Sequence, residues 1–386
     1  MNPTHPTYRL LTLCARAEGH PVFYQQLKNQ LREFDGWSDL PAQAELHGMA
    51  PLLWHHIRNS GAEIPAETAR TLLGLYLRHR LQNQIHARVL ADIVKVLGAA
   101  AIQPIVLKGL ALAYEYYPDP ALRPISDIDL LLKQDEVLPA LRLLADAGFD
   151  VNFPPPTRKR IPKELTAVSP PTDGVRVSVE LHHYDPLGRS IVDHSFDDEF
   201  TGFNAPPHST AMGEVMISVP DPMDTLRYLI RHFTRHLFVS THANPMPLKW
   251  IADVVSLVER RAETIDWAQE PALLNRLEVI YSLTPLPERL ASIIPVRQIE
   301  PPDGVGQYPQ GWPQQVYPEW KRMGFLYYLR RTAASPTYIR HTFSAPSNWW
   351  LRLYYGINAD SVFWYGQVVY RLQVLKMIPW KLLHRD

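Results

Sequence analysis

The chain has 386 residues, 46% hydrophobic and 20% charged, with 39 Lys+Arg against 39 Asp+Glu and a formal net charge of zero. That composition supports buried cores over two or three domains and excludes a disordered chain, while the charge balance excludes a global field that would draw the protein onto nucleic acid or an anionic membrane. The single cysteine, Cys14, excludes an intrachain disulfide framework and a multi-cysteine zinc site, and it fits a buried thiol in a reducing cytoplasm.

The opening run MNPTHPTYRLLTLCARAEGH breaks its short apolar stretch with arginines and lacks the pattern of a secretory signal. No stretch reaches the roughly 18 uninterrupted apolar residues of a spanning helix, so a soluble, cytoplasmic protein is expected. Up to residue 98 the apolar spacing is helical, with Leu72, Leu73, Tyr76 and Leu77 on one stripe and Val89, Leu90, Ile93, Val94 and Leu97 on another.

Residues 102–107 (IQPIVL) then predict a buried strand ending at Lys108-Gly109, and residues 110–117 (LALAYEYY) a helix stopped by Pro118. A second strand is predicted over 125–132 (ISDIDLLL) and a helix over 136–147, closed by Gly148. A short strand at 149–153 leads into a proline-rich loop over 154–174 that carries the basic run Arg158-Lys159-Arg160. In 175–183 (VRVSVELHH) strict alternation puts Val175, Val177, Val179 and Leu181 on one face, and Arg176, Ser178, Glu180 and His182 on the other.

From Asp221 the helical pattern returns, first as Leu226, Leu229, Ile230, Phe233 and Leu237, then as Leu248, Ile251, Ala252 and Val255. Residues 295–318 are rich in proline and glycine and read as a linker. The remainder is aromatic and basic, with Trp349, Trp350, Trp364 and Trp380, and is expected to pack as a helical region rather than to lie on lipid. The expected division is a helical region over 1–98, a mixed catalytic core over 99–220, a helical region packing on it over 221–294, and the linker with its aromatic-rich region over 295–386.

The chemistry is carried by Ser126-Asp127-Ile128-Asp129. Strand geometry sends Asp127 and Asp129 to the same side while Ile128 is buried. Converging carboxylates are natural ligands for Mg²⁺, which keeps several waters and binds substrate phosphates alongside one or two protein carboxylates. Glu180, on the polar face of a separate strand, supplies a third carboxylate if that strand lies beside the first. A two-metal arrangement of this kind bridges attacking and leaving oxygens. An isolated Asp-x-Asp more often decorates a solvated strand end, but here Lys108-Gly109 stands upstream between a strand and a helix, where glycine admits a phosphate closely and the helix dipole favours anions. Arg123, four residues before Asp127, is in reach of either the triphosphate or the carboxylates.

The run LKGLALAYEYYPDPALRPISDIDLLL resembles the core of an uncharacterised bacterial nucleotidyltransferase family in the polymerase-β-like superfamily. Its members share LKG, then R-x-x-x-D-I-D-L, then a strand reading V-[DE]-L-H, here Val179-Glu180-Leu181-His182. The flanks AELHGMAPLLWHHI, from Ala44, and LKWIADVVSLVER with IDW, from Leu248, also look like family segments, so the resemblance covers roughly residues 40–270. It implies an α+β, polymerase-β-like core flanked by helical regions, with metal ligation by Asp127, Asp129 and Glu180. It also implies nucleotide contact around Lys108 and Gly109, to which Arg123 and Ser126 are added as neighbours. The superfamily's usual Gly-Ser phosphate motif stands here as Lys108-Gly109, without the serine, which leaves nucleotide preference open.

Other candidates carry less. His182 orients Glu180 or touches an acceptor, and Asp253 is a candidate for the same supporting role. Lys249 and Asp253, at i and i+4, predict a helix-surface ion pair. His232 and His236 share a helix face, but the glutamate of a zinc protease is missing. His384-Arg385-Asp386 mimics a kinase triplet with no kinase parts after it. The expected activity is transfer of a nucleoside monophosphate from a nucleoside triphosphate, ATP first, to an acceptor hydroxyl on a protein, a small molecule or an RNA end, with Mg²⁺ or Mn²⁺. The alternative is a catalytically weak nucleotide-binding regulator or antitoxin-like partner of a protein encoded nearby.

Overall fold

A computed structural model describes residues 6–154, 164–183, 203, 205–239, 248–296, 348–364, 368–369 and 372. Four short helices open the chain: α1 (Pro6–Leu13), α2 (Pro21–Arg32), α3 (Leu40–Leu46) and α4 (Ala50–Ser60). Proline stands in the first turn of α2, α3 and α4, where a missing N–H loses no hydrogen bond. The 33-residue helix α5 (Ala66–Gly98) follows, a rod of about 50 Å at the usual helical rise. Its buried residues serve two cores, since Leu72 packs among the helices while Ile85, Val89, Leu90, Ile93 and Leu97 pack on the sheet.

The sheet has seven strands in the order β3-β4-β5-β2-β1-β7-β6. In chain order these are β1 (Ile105–Leu107), β2 (Asp127–Leu132), β3 (Asp150–Val151), β4 (Glu164–Val168), β5 (Ser178–His183), β6 (His208–Met212) and β7 (Val215–Val219). Helix α6 (Gly109–Tyr116) joins β1 to β2 through a short turn of 3₁₀ helix at Pro120–Leu122, and α7 (Gln134–Asp146) follows β2. The centre of the sheet is mixed: β2 runs antiparallel to β1 and parallel to β5. The sheet face carrying Ile128, Leu130, Val179 and Leu181 is buried under α5 and α7 residues such as Leu97, Leu141 and Leu144.

Several predicted bounds shift for local reasons. The first strand begins at Ile105 rather than at 102, because Pro104 has no N–H for the ladder and Ala101 turns with φ 57°. The strand expected at 149–153 shortens to Asp150–Val151. Residues 164–168, taken for loop, are β4, pairing antiparallel with β5. Their return is made at Asp173-Gly174, both with positive φ, between Thr172 and Val175, whose backbones exchange hydrogen bonds of 2.8 and 3.0 Å. This is the two-residue Asp-Gly hairpin geometry, so Val175 belongs to the turn and β5 starts at Ser178. The hairpin β6–β7, turned at Gly213 with φ 63°, has no counterpart among the predicted elements.

Beyond the sheet come α8 (Pro222–Val239), α9 (Lys249–Arg261), α10 (Pro271–Tyr281) and α11 (Asn348–Tyr355). Helix α9 is buried on nearly every side from Ile251 to Val258, as expected of a central helix. It shares one core with α1, α2 and α4, through Leu10, Leu11, Phe23, Leu27, Leu52 and Leu53. The amino-terminal helices and the helices after residue 221 thus share one core, distinct from that of the sheet. Leu351 and Leu353 of the aromatic tail join that core, while Trp364 is 59% exposed.

Among the described residues no helix is long and apolar enough to cross a membrane. Arg158-Lys159-Arg160, most of the expected linker, Trp380 and His384-Arg385-Asp386 lie outside the described residues, as do the side chains of His236, Trp349 and Trp350.

Candidate active site

The site is built at the sheet's centre, where β1 turns into α6 beside the start of β2. Lys108 and Gly109 both have positive φ, 44° and 29°. For lysine this is a strained conformation of the kind that tight functional turns hold. A Cβ on Gly109 would meet the Asp127 carbonyl oxygen at 3.4 Å, so the turn rests directly against β2.

The parallel register of β2 and β5 sets Asp127 beside Ser178, Asp129 beside Glu180 and Leu131 beside His182. Side chains of alternate residues share a face, which puts Asp127, Asp129, Glu180 and His182 on one side. Asp129 is 1% exposed. Its Oδ1 accepts from Lys108 Nζ at 3.0 Å and from His182 Nε2 at 2.9 Å, and His182 Nε2 lies 3.5 Å from Glu180 Oε2. Asp129, Glu180 and His182 each offer a ligand atom within 4.8 Å of the others. Asp127 stands outside that group, its Oδ1 accepting from Ser126 Oγ at 3.0 Å.

The electrostatics follow from burial opposed by partners. Burial acts against the Asp129 charge, but the hydrogen bond from His182 and the Lys108 ammonium outweigh it and hold the carboxyl below its ordinary value. For His182, burial is overcome by its hydrogen bonds to Asp129 and Glu180, and its pKa rises to about 9. Lys108 stays above its usual range despite burial, held by the Tyr228 oxygen and the Asp129 and Asp127 carboxylates. Burial pushes the Tyr228 phenol up to about 12, so it is neutral at physiological pH and Asp129 is the working counter-charge. The Lys108 ammonium sits 6.0 Å from the centre of the Tyr228 ring.

Arg123 is placed differently from its expected nucleotide contact. Its Nε and Nη2 donate to Asp253 Oδ1 and Oδ2 at 2.8 and 2.9 Å, and Tyr117 Oη donates to Oδ1 at 2.8 Å. All three side chains are buried. Asn83 Nδ2 donates to the carbonyls of Pro120 and Arg123 at 2.7 and 2.8 Å, fixing the same connection from α5. Arg123 therefore locks the β1–β2 connection onto α9. The predicted surface pair of Lys249 with Asp253 is not formed, because Asp253 is buried and taken by Arg123. His232 packs against Trp250 with ring centres 5.5 Å apart and against Tyr228 at 6.2 Å.

Two carboxylates and an imidazole converging within 4.8 Å fit a divalent cation, and the carboxylate pair suits Mg²⁺ or Mn²⁺. With that pair on adjacent strands and a lysine turn opposite, the sheet and its helices form the α+β core of a nucleotidyltransferase, flanked by helical regions. The sequence model of a family described as an uncharacterised nucleotidyltransferase matches residues 34–284, more than half of the chain, and the chain belongs to that family. No curated protein matches it in sequence.

Tyr228 did not stand out as a site residue in the sequence. It sits one turn before His232 on a helix that the apolar stripe explains without it. The spacing of α8 from the Lys-Gly turn, about 120 residues along the chain, leaves no local signal.

Proposed function

We propose that the chain transfers a nucleoside monophosphate from a nucleoside triphosphate, ATP first among them, to an acceptor hydroxyl in the cytoplasm, using Mg²⁺ or Mn²⁺. The observation that carries this reading is the Asp129–Glu180 pair at matched register on parallel strands, with Lys108 3.0 Å from Asp129. Asp129 and Glu180 would hold the cation, with Asp127 beside them as a further ligand and His182 orienting both carboxylates. When bound, the cation supplies Lewis-acid stabilisation of phosphoryl charge.

The chain's own residues do the rest. Gly109 lets the backbone approach a phosphate, at the amino-terminal end of α6 where the helix dipole favours anions. Lys108 places a fixed positive charge where negative charge accumulates on the leaving pyrophosphate, and such preorganised charge acts mainly in the transition state. Ser126 holds Asp127, and Arg123 acts at a distance by keeping the β1–β2 connection in place.

The test is incubation of the full chain with each α-labelled nucleoside triphosphate, Mg²⁺ or Mn²⁺, and a cell extract as acceptor source. Label transferred to one acceptor fraction, and lost in Asp129→Asn, is the expected result. Absence of transfer with all four nucleotides would overturn the reading.

A further inference from the structure

Apart from His182, which is paired with Asp129 and Glu180, two basic side chains in and behind the site are already committed to carboxylates. Lys108 is paired with Asp129 and Arg123 is paired through both arms with Asp253. Lys249 is placed otherwise. It is the first residue of α9, half-buried, and among the described residues its ammonium makes no ion pair or hydrogen bond.

Its route toward the site is constrained. The Lys249 backbone N–H donates to the His47 carbonyl at 3.1 Å, and its side-chain stem crosses Gly48. A Cβ on Gly48 would meet Lys249 Cδ at 2.8 Å and its Cβ and Cγ at 3.2 Å, and Gly48 itself has φ 66°. Only glycine combines that backbone with that passage. The stem's inner atoms are the ones approached, so a larger residue would shift the whole lysine rather than its tip.

The start of α9 is tied to the site by packing: Trp250, the next residue, lies against His232 with ring centres 5.5 Å apart, His232 against Tyr228 at 6.2 Å, and the Lys108 ammonium is 6.0 Å from the Tyr228 ring, while Asp253, one turn on, holds Arg123. The charges acting on Lys249 are accordingly those of Arg123, Asp253, Asp127 and Lys108. Arg123 and Asp253 neutralise each other, and Lys108 is opposed by Asp129. Burial, followed by the Arg123 charge, holds the Lys249 pKa below its ordinary value. An anion beside it would restore what burial removes.

Resting on the nucleotidyltransferase reading above, we propose that Lys249, guided across Gly48, binds the terminal phosphates of the nucleoside triphosphate. Lys108 then serves the phosphate nearest the carboxylates and Lys249 the outer end of the chain of phosphates. The amino-terminal segment around Gly48 thereby becomes part of substrate binding, although it contributes no side chain to it.

The probe is inorganic tripolyphosphate with Mg²⁺, titrated into the full chain by calorimetry, which reads the phosphate site without a base. Lys249→Gln should weaken tripolyphosphate binding by about 10- to 100-fold, the loss expected for one charged hydrogen-bonding partner. Lys249→Arg should restore affinity to within a few-fold of the wild type, and Lys133→Gln, an exposed lysine after β2, should leave it unchanged. Thermal melting checks that each variant is folded. If Lys249→Gln melts early, the comparison of Lys249→Arg with Lys249→Met at a temperature where both are folded replaces it, with the same expected ratio.

Wild-type-like affinity in the uncharged variants, or no tripolyphosphate binding by the wild type, would overturn the inference. Failure of the reading on which it rests is seen separately, as absence of label transfer from every nucleoside triphosphate while tripolyphosphate binding and its dependence on Lys249 persist.

Discussion

Asp129 and Asp253 are each 1% exposed, and each carboxylate accepts from two side chains. Around Asp253 the partners are as buried as the acid, with Arg123 only 6% exposed and Tyr117 5%. Around Asp129 the partners reach solvent, the side chains of Lys108, His182 and Glu180 being 15%, 23% and 28% exposed. The first arrangement is closed and ties β1–β2 to α9. The second reaches solvent on one side, where the proposed cation and phosphate would enter. The difference teaches that in this fold the most fully buried ion pair joins elements of the structure, while the half-open one is the site proposed for chemistry.

That contrast is broken most severely at Asp253. Asp253→Ala leaves the Arg123 guanidinium buried without its counter-charge, and removing one partner of a buried pair costs about 3–5 kcal/mol. Urea unfolding should show that loss. A variant as stable as wild type would mean that Arg123 is not held by this pair.

On the open side the expected effect falls on turnover rather than on folding. Lys108→Ala should lower kcat/KM by about 10²–10³, the loss typical of one preorganised charge-stabilising donor, with little change in the urea midpoint. Steady-state kinetics with the identified acceptor decide it, and unaltered kcat/KM would make Lys108 a strand-end charge with no part in the reaction.

The helical core offers a third, smaller contrast, because it too buries titrating groups. Burial lowers the His56 pKa to about 3 and raises the Glu259 pKa to about 7. His56 is kept neutral in the fold, so the unfolded chain takes up its proton first and this contribution is lost as pH falls from about 6.5. Glu259 works in the other direction: the folded chain binds its proton near pH 7 and the unfolded chain only near 4.5, so this contribution grows as pH falls across that window. Each amounts to about 2 kcal/mol between pH 7 and pH 5, and in the wild type the two offset each other. Glu259→Gln should therefore lose about 2 kcal/mol of stability over that interval relative to wild type. A difference that does not vary with pH would show that Glu259 titrates at its ordinary value.

Much of this arrangement is legible in the sequence because it is local. Period-2 alternation in 175–183 put Glu180 and His182 together on the polar face, and they are half-buried there while Val179 and Leu181 are fully buried. The SDID run and the Lys-Gly turn needed only strand geometry and a glycine. What was not legible depends on pairing between distant segments. The partner of Asp253 was read from helix spacing as Lys249, four residues away, whereas it is Arg123, 130 residues away, since burial of α9 removes the solvated surface that an i, i+4 pair presumes. Strand β4 was hidden by the prolines around it, and β6–β7 by small polar residues whose alternation is weak. Gly48 gave no signal until the stem of Lys249 was seen to pass over it.

The proposed chemistry requires Asp129 and Glu180 to seat a divalent cation. The most direct measurement is Mn²⁺ binding to the full chain, followed by loss of the free-ion signal in electron paramagnetic resonance. Wild type should take up Mn²⁺, and Asp129→Asn and Glu180→Gln should each weaken that uptake by roughly 100-fold or more, since even supporting groups around a metal contribute 10- to 100-fold, while Asp253→Asn, if folded, should bind nearly as wild type does. Mn²⁺ affinity that is unchanged in both Asp129→Asn and Glu180→Gln would contradict it.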